Sequence, residues 1–253
     1  MPRFEVYGET DVGCVKRRNE DALDYVLRPD REALLAVVAD GVGGLPGGDV
    51  ASEVAVRAVI EHGREALLEL ESAPDEEALR SMLLTAVKVA NSAVQKCQLQ
   101  SPELKSMATT IVVALAVGER VMVAHVGDSR CYRQRAGQLL CLTEDHTVAQ
   151  QMLKDGVLSR SRIAESPYNQ VLSQALGVAD RIDVTVSQDS LQAGDVWLLC
   201  SDGLNKALSD ELIVDELNAA AGLVDASRTL IRAANAKGGE DNITVLLFAP
   251  AIQ

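Results

Sequence analysis

Leu34-Leu35-Ala36-Val37-Val38-Ala39 runs without a polar interruption into Asp40-Gly41-Val42-Gly43-Gly44. A short apolar run rich in Val and Leu, closed by turn residues, predicts a buried strand over Ala33–Ala39. Working outward, Ala108–Val117, Arg120–Val126, Val196–Cys200 and Ile243–Phe248 read the same way, with Gly118-Glu119 as a hairpin turn between the first two. Apolar residues at helical spacing predict one helix from about Asp49 to Leu70. They predict a second from Asp75 to Gln98, with Pro74 at its start, and a third region over Ser209 to Ala236 broken near Gly222. The strands come in clusters rather than in strict alternation with helices. That order favours an α+β layered fold with antiparallel sheets over a doubly wound parallel one.

The chain has 253 residues, with 24 Lys+Arg against 37 Asp+Glu, for a net charge of −13. Such acidity speaks against a broad nucleic-acid or anionic-membrane surface, because phosphates are bound mainly by Lys and Arg. Hydrophobic residues make up 47% and aromatic ones 3%, so the core is expected to consist of Leu, Val, Ile and Ala. No apolar run approaches the roughly 20 residues of a membrane helix, and the N-terminus has no signal-peptide stretch. The five cysteines are scattered and form no C-x-x-C pair, which fits a reducing cytosol. A single domain spanning 1–253, cytoplasmic and monomeric, is the expectation.

The chemistry gathers where these strands end. Asp40 follows the first, Asp128 follows Val121–Val126 within Gly127-Asp128-Ser129-Arg130, and Asp202 follows Val196–Cys200 within Ser201-Asp202-Gly203. Asp241 sits in Gly238-Gly239-Glu240-Asp241-Asn242, just before the last strand. One Asp beside Gly is ordinary turn chemistry. Four at the ends of buried strands need positive partners, and in sequence only Arg130 lies beside any of them. A shared divalent cation answers that need. The donors are all oxygen, which selects Mg²⁺ or Mn²⁺ over zinc or copper. A carboxylate-rich centre for such ions points to phosphate chemistry through a metal-activated water. Other phosphate motifs fail: the Gly41–Pro46 stretch lacks the last glycine of a dinucleotide fingerprint, and Asp49-Val50 stands where a P-loop needs Lys-Ser/Thr.

At these residues the chain resembles the metal-dependent serine/threonine phosphatases of the protein phosphatase 2C-like family, in its compact bacterial form. The ordered set comprises Thr10-Asp11-Val12-Gly13, Asn19-Glu20-Asp21, Asp40-Gly41-Val42-Gly43-Gly44, Ala51-Ser52 and Ala108-Thr109-Thr110. It continues with Val126–Arg130, Leu142–His146, Ser201–Leu204 and Glu240–Thr244. The resemblance implies a four-layer αββα sandwich with the metal centre at one edge of its two antiparallel sheets. It implies that Asp40 bridges two core Mn²⁺ or Mg²⁺ ions, that the Gly41 carbonyl binds one, and that Asp202 and Asp241 complete the other. Glu20 and Asp21 would act through metal-bound waters, and Asp128 with Asp202 matches a third, weaker position. The implied substrates are phosphoserine and phosphothreonine proteins, with a partner Ser/Thr kinase on the opposing side.

Three departures stand out. Lys16 occupies the place of a phosphate-gripping Arg, with Arg18 as a helper. Val42 replaces a His found in many eukaryotic members. In the segment resembling a flap, about 148–177, Gln174 stands where Arg is common. The Lys16 substitution keeps open a rival reading, a pseudo-phosphatase that binds phosphoproteins without turnover. A nucleotide cyclase would want a base pocket and a phosphate loop, and neither is evident. His62, His125 and His146 read as structural, His146 as opening the following helix, and Cys14 and Cys200 as small packing residues.

Overall fold

All seven residues of Ala33–Ala39 are fully buried in the computed structural model, which describes residues 2–70, 74–163 and 165–251. The reason is that β3 (Ala33–Asp40) has a layer on each side. Successive side chains of a strand point to opposite faces. Leu34, Ala36 and Val38 therefore pack toward a second sheet, while Ala33, Leu35, Val37 and Ala39 pack toward helices.

The sheet of β3 has the order β2-β3-β4-β5-β8, adding β2 (Asp21–Leu27), β4 (Ile111–Val117), β5 (Arg120–Val126) and β8 (Thr185–Ser190). The second has the order β1-β10-β9-β6-β7, from β1 (Phe4–Asp11), β6 (Arg130–Arg135), β7 (Gln138–Cys141), β9 (Val196–Cys200) and β10 (Ile243–Pro250). Every pairing is antiparallel. Outside the first sheet lie α1 (Gly48–Glu69) and α2 (Glu76–Gln100); outside the second lie α4 (Asp202–Ala207), α5 (Asp210–Ala219) and α6 (Leu223–Ala236). A shorter α3 (Val148–Lys154) follows the β7 strand. This is the α+β, four-layer αββα sandwich expected.

Local chemistry sets the element ends. The Asp75 side chain accepts the Ala78 N–H at 2.8 Å and so caps α2, as a carboxylate does at a helix start. Gly222 separates α5 from α6 at the break expected. Gly63 lets α1 lie close on β3, since a Cβ there would come within 2.1 Å of Leu35 Cδ2. Among the described residues no helix is long and apolar enough to cross a membrane.

Two expectations need correction. The inter-sheet core is not purely aliphatic: Trp197 stacks on Phe248 with centroids 5.7 Å apart, and Phe4 meets Phe248 edge-on at 6.3 Å. Both phenylalanines and the single tryptophan supply bulk between the two sheets, while the four tyrosines lie elsewhere. Also, Ala108–Thr110 does not belong to β4; it runs as a loop touching Gly41 and Leu176 through isolated bridges at Thr109.

Candidate active site

The strand ends meet at one edge of the sandwich. β3 ends in Asp40, the turn after β5 carries Asp128, β9 leads through Ser201 into Asp202 at the start of α4, and the loop before β10 carries Asp241. These four acids line one cleft of about 580 Å³, together with Gly41 and the two lysines Lys16 and Lys206.

The backbone of Asp40 is pinned on both sides. Its N–H donates to Thr110 Oγ1 at 3.1 Å, and its carbonyl accepts from the Thr110 N–H at 2.8 Å and from Thr109 Oγ1 at 2.9 Å. Asp21 lies across the β2–β3 ladder from Asp40. Its Oδ2 accepts from Ser201 Oγ at 2.7 Å and Thr244 Oγ1 at 2.6 Å, which ties the first sheet to β9 and β10. Asn242 organises the opposite wall. Its Nδ2 donates to the Val12 and Arg18 carbonyls, each at 2.9 Å, and its Oδ1 accepts the Glu20 N–H at 2.8 Å. The loop bearing Lys16 is thereby held to the loop bearing Asp241. Gly203 permits the last close approach, because a Cβ there would sit 2.0 Å from the Asn242 carbonyl oxygen.

So many acids in one place repel one another. Burial first, then Asp21, Asp202, Asp128 and Asp241, hold the Asp40 carboxyl well above its usual pKa. Burial and neighbouring carboxylates push Asp21 and Asp128 up to about 7. Two lysines offset part of this charge. Lys16 Nζ lies 2.8 Å from Asp241 Oδ1, and Lys206 donates to Asp202 Oδ2. Arg130, the one cation adjacent in sequence, is engaged elsewhere, with bidentate bonds to Asp145 at 2.8 and 2.6 Å and a third to Tyr132.

As placed, no three Asp, Glu, His or Cys side chains among the described residues are gathered closely enough to clasp an ion. The donor chemistry nonetheless fits a hard divalent cation. It is all carboxylate and carbonyl oxygen, and both Asp21 Oδ1 and Asp202 Oδ1 are buried without any hydrogen-bond partner.

The remaining expected residues are placed as follows. Glu20 stands at the cleft rim beside Gly43 and Gly48, and burial raises its pKa. Asp21 is the cross-strand partner of Asp40, and neither it nor Glu20 is part of the cleft lining. Arg18 is exposed and faces Asp49, 3.8 Å away, outside the lining. In the 148–177 segment, α3 is followed by a loop that returns to Thr147 through Leu172 and to Thr109 through Leu176. Gln170 to Ala175 line the cleft, and Gln174 Oε1 accepts the Asp183 N–H at 3.1 Å.

His125 bonds the Glu144 carbonyl at 2.8 Å and stacks on His146, centroids 4.6 Å apart. His146 does not open α3: the Thr147 side chain caps it, accepting the Gln150 N–H. Cys200 is buried in the core as expected, but Cys14 is exposed beside Asn235 and is no packing residue. Sequence reasoning missed Lys206, whose spacing of four from Asp202 on a helix was the available signal. Nor does sequence show that Ser201 and Thr244 hold Asp21, or that Asn242 holds the Glu20 backbone.

The protein phosphatase 2C family model matches residues 15–247. The serine/threonine phosphatase stp of Listeria welshimeri is 34% identical over 238 residues, covering 94% of this chain and 92% of that protein. The structure of the Streptococcus agalactiae serine/threonine phosphatase superposes with a TM-score of 0.87 at 31% identity, over 98% of this chain and 100% of that one. The catalytic domain of the phosphatase PstP, solved in complex with two manganese ions, gives a TM-score of 0.78 at 31% identity, over 97% of each chain.

Proposed function

The chain belongs to the protein phosphatase 2C family, and from that premise we propose that it hydrolyses phosphoserine and phosphothreonine in proteins, opposing a partner Ser/Thr kinase. The observation that carries the reading is the convergence of Asp40, Asp128, Asp202 and Asp241 on one cleft from four separate strand ends.

In this reading Asp40, the Gly41 carbonyl, Asp202 and Asp241 would hold the Mn²⁺ or Mg²⁺ ions, Asp40 being the ligand they have in common. Glu20 and Asp21 act through bound waters. The manganese-bound relative supports the choice of ion. When bound, such ions would supply a water of lowered pKa as nucleophile and neutralise charge on the phosphoryl group.

The protein's own groups do the rest. A phosphate dianion approaches a chain of charge −13, so the cations at the cleft must attract it locally. Lys16, half-buried at the cleft, presents a point charge rather than the two-pronged donor of an Arg. Val42 has no titratable group, so the departing Ser or Thr oxygen takes its proton from another source. The Gln170–Ala175 wall confines the substrate beside the acids.

The decisive assay is phosphate release from an aryl phosphate and a phosphothreonine peptide, with added Mn²⁺ and with chelator. Activity with Mn²⁺ that chelator abolishes is expected. The two lysine–carboxylate pairs favour one rival, a phosphoprotein-binding module without turnover, and phosphopeptide binding with no phosphate release would establish it instead. Lys16→Arg is expected to lower KM about threefold to tenfold with little change in kcat, since a bidentate guanidinium replaces a single ammonium. An unchanged KM removes Lys16 from the phosphate site.

A further inference from the structure

We propose that Lys206 is a built-in cation: its ammonium holds the Asp128–Asp202 corner of the cleft and keeps a divalent ion from settling there, so that two ions complete the site. The inference rests on the metal-centre reading above and adds to it how many ions this chain takes.

The corner brings together acids from both sheets. Asp128 follows β5 of one, and Asp202 follows β9 of the other. Both are nearly buried, and the Asp202 charge raises the cost of ionising Asp128. A cation beside them would relieve that cost. Arg130 is not available, because Asp145 and Tyr132 occupy its guanidinium. α4 supplies the alternative. Residues four apart share a helix face, so Lys206 returns over Asp202, and its ammonium takes Asp202 Oδ2. Its charge also counters that of Asp202 on Asp128. Asp128 has no ion pair of its own among the described residues.

The consequence for Asp202 is a division of labour. Oδ2 is engaged by Lys206, whereas Oδ1 is the buried oxygen with no partner. A divalent ion between Asp128 and Asp202 would find one of the needed oxygens already occupied. It would also meet a positive charge that cannot diffuse away, because the ammonium is tethered to the helix. An ion on the other side of Asp202 would find Oδ1 free of any partner.

The test is Mn²⁺ binding to metal-stripped protein, followed by calorimetric titration and by the electron-spin signal of free Mn²⁺. The wild type is expected to bind two ions and Lys206→Gln three, the third about tenfold tighter than any residual third binding in the wild type, or about 1.4 kcal/mol. Lys206→Arg keeps the cation and should stay at two. Adding Asp128→Asn to Lys206→Gln should return the count to two. Should Lys206→Gln fold poorly by circular dichroism, Lys206→Met preserves the apolar stem and carries the same expectation. Three ions in the wild type, or an unchanged count and affinity in the charge-removing variants, overturns the proposal. No Mn²⁺ bound by the wild type overturns the metal-centre reading itself.

Discussion

Asp40→Asn is expected to lower kcat/KM at least about a thousandfold, a loss of about 4 kcal/mol of transition-state stabilisation, while raising the melting temperature of the metal-free protein. The two effects share one cause. Asp40 carries charge into a place where burial and four other carboxylates oppose it, and in the proposed metal centre that charge would hold the divalent ions. Asn keeps the shape and loses the charge.

The fold tolerates the change because Asp40 is held by its backbone. The bonds to Thr109 and Thr110 use its N–H and carbonyl, and none uses the carboxylate. Relief of repulsion should appear as about 2–4 °C in Tm for each kcal/mol recovered in a chain of this size. Measured together, the readouts separate a lost ligand from a damaged fold. Lost activity with a lowered Tm contradicts the assignment, as does activity within tenfold of the wild type.

How far the sequence could be read follows from burial. β3, β4, β5, β9 and β10 lie between layers, so their residues are apolar on both faces and visible as unbroken runs. β1, β2, β7 and β8 are the four sheet edges, half-exposed and mixed in composition, and no run betrays them. β6 is interior but hidden by Arg130, Arg133 and Arg135, the last two of which pair with Asp189 and Asp195. At the cleft, acids at strand ends were legible because an Asp after a buried run is out of place. Their supports were not. Ser201, Thr244 and Asn242 are small polar residues whose importance comes from contacts to residues nearly 200 or more positions away. Arg130 shows the converse: adjacency to Asp128 in sequence did not make it a partner in space.

The second large effect is on stability. Saturating Mn²⁺ is expected to raise Tm by about 5–10 °C for each site filled at a hundred times its Kd, and by more at pH 8 than at about pH 6.5. In the metal-free protein Asp21 and Asp128 titrate near 7 in place of 3.8, and Asp40 is raised as well. A folded-state pKa above the unfolded one means that the folded state holds the extra proton. Its stabilising contribution is complete below 3.8 and is lost as pH rises through about 7. The metal-free protein should therefore melt lower at pH 8 than at 6.5. Divalent ions reverse the sign, since they favour the ionised acids and release their protons on binding. His146 works in the opposite direction. Burial lowers it to about 4, so its contribution is present above 6.5 and disappears below that, outside the chosen window. Melting curves at the two pH values, with chelator and with Mn²⁺, decide the matter. A metal-free Tm that rises from 6.5 to 8, or a Mn²⁺ shift no larger at the higher pH, would show that these acids do not share one uncompensated charge.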